Sequence, residues 1–178
     1  MNMHPRAAAL VQALNLQPHP EGGWYGEVFR SPQAVQTADG RPPRQALTTI
    51  DFVLAAGQFS AWHRVRSDEV WHLLEGAGLR LWLAPPDLSH FEAVELGPVG
   101  PVGAVGAVGA VGAVDAGLRP RHVVPADWWQ AAEPLGAYAY VGATVGPGFD
   151  FADFSFGRDD DGLRAALAQR ATELQRLL

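Results

Sequence analysis

The stretch from Gly57 to Gly76, GQFSAWHRVRSDEVWHLLEG, decides how the chain is read. It contains two short apolar segments around the polar turn RSDE, and both are rich in aromatic and β-branched residues. That pattern predicts two strands joined by a tight turn. Strand side chains alternate, so His63 and Val65 share one face, with Trp62, Arg64 and Arg66 on the other. After the turn, Glu69, Trp71 and Leu73 share a face, and His72 lies opposite unless a bulge resets the register. If Val65 faces the core, His63 and Glu69 do too, and an imidazole and a carboxylate meet in one apolar cavity. Such a pair can pass a proton near neutral pH, supply two ligands to a divalent metal, or simply satisfy two buried polar groups. Ser67 and Asp68 are ordinary turn residues, and Asp68 is expected to bond backbone amides of its own turn.

Outward from this stretch, further short apolar segments sit between glycines and prolines: GWYGEVF, ALTTIDFVLAA, LRLWLAP, FEAVELG, RHVVPADWWQAA, AYAYVGATV and FDFADFSF. Their spacing predicts an all-β, antiparallel sandwich or barrel. Helices are expected only at the ends. Near the N-terminus Leu10, Val11 and Leu14 share a face. Residues 159–178 form a C-terminal helix with Leu163, Ala166, Leu167, Leu174 and Leu178 inward. Between Gly97 and Val114 glycine recurs at every third residue, which suits an inserted surface loop, since lengthening a loop costs little entropy.

The chain has 178 residues, 48% hydrophobic and 18% charged, which suits one globular domain over residues 1–178. A net charge of −6 and the lack of a basic cluster argue against nucleic acid and anionic membrane as partners. With no cysteine there are no disulfides, thiolate metal sites or cysteine nucleophile. No apolar run approaches the ~20 residues that span a bilayer, and Gln12 and Asn15 interrupt the only leader-like patch. A cytoplasmic location is the expectation.

Gly57, His63, Glu69 and Gly76 fall at the offsets of the first cupin motif, with Val65 where its second histidine belongs. In VVPADWWQ, Pro125 matches the second motif, while Asp127 replaces its glycine and Gln130 its histidine. The phrases HPEGGWYGEVFRS, SAWHRVRSDEVWHLLEG, VVPADWWQAAEP and VGATVGPGFDFADFSF together resemble domain of unknown function 985 (cupin-5), within the cupin superfamily. The resemblance implies a cupin (RmlC-like) jelly-roll β-barrel with a pocket, but no particular reaction. Metal-dependent cupins use His, His, Glu and His. A divalent transition metal here would have to use His63, Glu69 and Gln130, with His72 only if the strand bulges. No cofactor is the favoured expectation.

The metal-free alternative resembles the cupin epimerases: His63 is the base, Glu69 orients it, and Tyr138, Tyr140 or Thr144, which share one face, stabilise the developing oxyanion. Trp71 shares parity with Glu69 and suits stacking on a ligand, whereas most of the other tryptophans suit packing. Tyr25 and Glu27 can reach the pocket from a strand that, in the family, often crosses a dimer. His4, His19, His90 and His122 are expected at the surface or in turns. The expected function is therefore a pocket that binds or transforms a small polar metabolite, carbohydrate-like or an organic acid. The chain is expected to be an isomerase-like enzyme or a non-catalytic binding protein, and a homodimer.

Overall fold

A computed structural model describes residues 3–98 and 119–178, so the Gly-x-x repeat falls outside the described residues from Val99 onward. In chain order the strands are β1 (Gln17–Pro18), β2 (Trp24–Arg30), β3 (Ala34–Val35), β4 (Arg44–Gln45), β5 (Thr48–Ala55), β6 (Ser60–Val65) and β7 (Asp68–Gly76). They continue with β8 (Leu79–Ala84), β9 (Glu92–Leu96), β10 (Arg121–Val124), β11 (Trp129–Pro134), β12 (Tyr138–Gly146) and β13 (Phe154–Phe156). Helices α1 (Pro5–Ala13) and α2 (Asp161–Arg170) lie at the two ends. The strands form a six-stranded sheet, β1-β2-β5-β12-β7-β10, and a five-stranded sheet, β13-β6-β11-β8-β9, with β3-β4 as a separate pair. All pairings are antiparallel. From β5 onward the chain crosses repeatedly from one sheet to the other, as in a jelly roll.

The strand alternation explains the layers. Phe52, Leu54, Trp71, Leu79, Leu81, Leu83 and Val141 point between the sheets and form the central core. The opposite faces are covered by the two ends of the chain. α1 lays Ala7 and Leu10 on the outer face of the first sheet, beside Val53, Tyr138 and Tyr140. Leu14, expected on that face, is 39% exposed. Asn15, at φ +53°, ends the helix in a left-handed turn and delivers Leu16 to the core instead.

On the second sheet, Trp62, Trp129 and Ala131 meet Leu163, Leu167, Leu174 and Leu177. Trp62 is fully buried and donates its indole N–H to the Leu174 carbonyl at 3.2 Å. The expected single C-terminal helix is two pieces. α2, capped by the Asp160 carboxylate on the Leu163 amide, stops at Arg170, and a 3-10 segment, Thr172–Leu177, follows. The break at Ala171 changes the winding of the chain, and the 3-10 segment still buries Leu174 and Leu177. Among the described residues no helix is long and apolar enough to cross a membrane.

Arg66–Ser67 joins strands of opposite sheets, so β6 and β7 face each other across the sandwich instead of lying side by side. Asp68 does not bond its own turn. It accepts the Ala126 amide at 2.9 Å and ties β7 to the loop before β11. Ser67 is buried and accepts a hydrogen bond from Arg41 at 3.0 Å.

Candidate functional site

One end of the sandwich holds a cavity of about 280 Å³. Its floor carries His63 and Val65 from β6, Glu69 and Trp71 from β7, and Phe52 from β5. His63 and Gln130 are register partners on β6 and β11, so both point inward from the second sheet. Glu69 and Trp71 point inward from the first. Gln130, fully buried, bridges the sheets: its carbonyl accepts the Trp71 indole N–H at 2.9 Å, and its amide donates to Glu69 Oε2 at 2.6 Å. The indole can only donate, which fixes the orientation of the Gln130 amide.

His63 Nδ1 lies 2.7 Å from the Ala61 carbonyl. A carbonyl only accepts, so Nδ1 carries the proton and Nε2 keeps its lone pair. Nε2 and Glu69 Oε1 take no hydrogen bond among the described residues. Sequence reasoning assigned Glu69 to orient His63, but no hydrogen bond joins the two. That role falls to the Ala61 carbonyl and to Glu21, whose Oε2 is 3.3 Å from His63 Nδ1.

Glu21 and His19 are the residues sequence reasoning missed or misplaced. Both line the cavity; His19, expected in a turn or at the surface, does open a turn through its carbonyl, which accepts the Gly22 amide at 3.0 Å, but its side chain is only 9% exposed and packs against Tyr25 and Phe52. Glu21 is 9% exposed and accepts the Ser60 hydroxyl at 2.6 Å, while its carbonyl takes the Ala61 amide at 2.9 Å. Gly22 makes the approach possible. It sits at φ +113°, and a Cβ there would collide with the Phe59 carbonyl. No periodicity marks a turn residue as inward; the one signal was the phrase HPEGGWYGEVF itself, with its paired glycines.

The electrostatics follow from burial. Exclusion of water pushes the Glu69 carboxyl up to about 7, with the nearby Glu21 adding to the rise and the His63 ring and Gln130 amide opposing it. Burial also raises Glu21 and lowers His63 and His19. Glu69 is therefore poised between its two proton states near neutral pH.

The other candidates lie elsewhere. Inward places on β12 go to Ala139, Val141, Ala143 and Val145, so Tyr138, Tyr140 and Thr144 point to the outer face. There Tyr138 donates to Glu75 at 2.6 Å, Tyr140 donates to Asp51 at 2.9 Å, and Thr144 pairs with Thr49 at 2.9 Å. The sequence places the three together but cannot say which face is covered by α1. His72 also lies on the outer face, beside Arg121 and Gly142. β7 does bulge, but at Leu74, too late to turn His72 inward. Tyr25, Glu27 and Arg30 of β2 line the cavity, and Phe149, Asp150 and Phe151 close its rim.

The residues present fit a metal poorly. Among the described residues, no group of three His, Asp or Glu side chains is placed to hold an ion. The Gln130 carbonyl is engaged by Trp71, and the apolar Val65 occupies the wall between. Asp127, where the second motif has glycine, adopts φ +66°, a conformation aspartate tolerates better than most side chains.

The chain is similar over 99% of its length to a hypothetical protein from Leishmania major, with 27% identity, a TM-score of 0.77 and 98% of that chain covered. A protein from Shewanella oneidensis matches equally broadly, with 27% identity, a TM-score of 0.76, and 99% and 98% coverage of the two chains. The oxalate decarboxylase of Bacillus subtilis, at 13% identity and TM-score 0.53, shares the fold over 90% of this chain and 36% of its own. A comparison with curated proteins finds no match. Residues 8–157 match the model of the cupin superfamily family DUF985, and the chain belongs to that family.

Proposed function

We propose that the cavity binds a small polar metabolite and moves a proton on it without a metal. His63 Nε2 is the base, and Glu69 is the partner acid. The observation that carries this reading is the held tautomer: Nδ1–H is committed to the Ala61 carbonyl, which leaves an unpartnered Nε2 lone pair on a side chain in the cavity wall. Burial keeps the ring neutral and able to accept a proton, and keeps Glu69 protonated over part of the neutral range. On a substrate with a C–H beside a carbonyl, His63 takes the carbon-bound proton. Glu69 donates its proton to the carbonyl oxygen to give an enediol; His63 then returns its proton to the neighbouring carbon while Glu69 recovers one from the neighbouring hydroxyl, which completes an isomerisation.

Incubation of the protein with small hydroxy-aldehydes, ketoses and keto acids in deuterium oxide, followed by proton NMR, tests this. Wild type should exchange the α-proton of one class, and His63→Ala should abolish the exchange. Exchange that persists in His63→Ala would refute the role. A second reading, binding without turnover, is favoured by the way Gln130 already ties Glu69 Oε2 to the Trp71 indole. Wild type that binds a probe and exchanges nothing decides for it.

The homodimer belongs to the same proposal. Past Tyr25 the outer edge of β2 has no strand partner among the described residues, and its Val28 and Phe29 are 60% and 48% exposed, which supports edge pairing with a second copy.

A further inference from the structure

Three carboxyls are buried among the described residues: Glu21, Glu69 and Asp153. Asp153 has the partners a buried charge needs, with Arg41 at 2.7 Å and Arg44 at 2.8 Å on both its oxygens. Glu21 and Glu69 have no arginine, and the chain contains no lysine. Both lie in the wall of the same cavity.

The two histidines beside Glu21, His63 at 3.3 Å and His19 at 3.8 Å, are pushed toward the neutral form by burial, and the arginine there does not compensate. Arg30 is the guanidinium in the cavity wall, and Glu27 occupies it at 3.1 and 2.6 Å, with the Phe149 carbonyl at 3.1 Å. Asp150 adds a further acid at the rim. Among the described residues, a carboxylate or phosphate ligand would find no free guanidinium and three acids, Glu21, Glu69 and Asp150.

The walls between these acids are aromatic: Tyr25, Phe52 and Trp71 inside, Phe149 and Phe151 at the rim. Carboxylates set among ring faces form the complement of an organic ammonium, which gains both ionic and cation–π attraction once out of water. The volume, about 280 Å³, exceeds what a bare ion fills, and among the described residues no three ligating side chains converge on one. His63, 2% exposed with Nε2 unpartnered, and Glu69 Oε1 supply the polar atoms that face such a ligand.

From this we infer that the cavity selects a small protonated amine, its ammonium set between Glu21 and Glu69 and its apolar body against Trp71 and Phe52. This rests on the same cavity as the proposed function, with Glu21 and Glu69 drawn to their ionised forms by the ammonium's own charge against the upward push of burial. It narrows the ligand class away from organic acids.

The test uses three probes of one skeleton: cyclohexylamine, cyclohexanol and cyclohexanecarboxylate, titrated into the full chain by calorimetry and by Trp fluorescence. The amine should bind about tenfold or more tightly than the alcohol, the worth of about 1.4 kcal/mol, and the carboxylate should bind weakest. Glu69→Gln and Glu21→Gln should each erase most of the amine's advantage while the alcohol binds as before. An acid that binds as well as the amine overturns the inference, as does an amine preference that survives both substitutions. Displacement of the amine by stoichiometric zinc or manganese reassigns the carboxyls to a metal and overturns it too. Proton exchange is read separately. Exchange on an anionic substrate leaves the catalytic proposal standing and sinks the amine. An amine preference with no exchange on any substrate does the reverse.

Discussion

Replacing Glu69 by Gln removes a charge while keeping the shape and the hydrogen bond from Gln130, so its effect on stability isolates the cost of ionising a buried carboxyl. Burial lifts this group from 4.5 to about 7 in the folded chain, while the unfolded chain returns it to its ordinary value. At about 1.4 kcal/mol per tenfold change, ionised Glu69 destabilises the fold by about 3 kcal/mol. The sign follows from proton counting. Between the two values the native state holds a proton that the unfolded state has released, so stability falls as pH rises and the loss is complete above about 7.

Urea unfolding of wild type and Glu69→Gln from about pH 4 to about pH 8 measures it. The difference between the two proteins should move by about 3 kcal/mol in favour of the variant as pH rises through this range. His63 and His19 are lowered by burial and lose stability in the opposite direction, toward low pH. They are present in both proteins and largely cancel in the difference. A difference that is flat with pH would show that Glu69 is not held neutral by burial. The acid role proposed for it would then fall.

Asp153→Ala strands Arg41 and Arg44 in a buried position and should cost about 3–5 kcal/mol in chemical denaturation, more than loss of any exposed ion pair. Gly22→Ala should cost about 2 kcal/mol or more and weaken probe binding, because relieving the clash with Phe59 moves Glu21 off His63. Its measure is the thermal transition together with amine titration, and a neutral result would mean the turn yields without moving Glu21. Deleting residues 100–113 should shift Tm by less than about 3 °C. The Gly97 amide already meets the Arg119 carbonyl at 3.0 Å, so the chain leaves and rejoins the fold at one place.

The sequence by itself determined what depends on near neighbours. Alternation along β6 and β7 groups His63 with Val65 and Glu69 with Trp71, because successive strand side chains point to opposite faces. The same rule groups Tyr138, Tyr140 and Thr144 together. The spacing of Gly57, His63, Glu69 and Gly76 signalled the family and its fold, which the match over residues 8–157 shows. Tertiary structure decided which face of each group is inside. β12 turns its small residues to the core because α1 packs on the other side, and this carries the tyrosines away from the cavity. Tertiary packing alone also brings Glu21 onto His63 and sets Gln130 between Glu69 and Trp71, contacts that link residues 39 or more positions apart. Local periodicity carries no information on such pairs. They exist because two sheets press these strands together and because burial leaves polar groups no water to bond, so they must find one another.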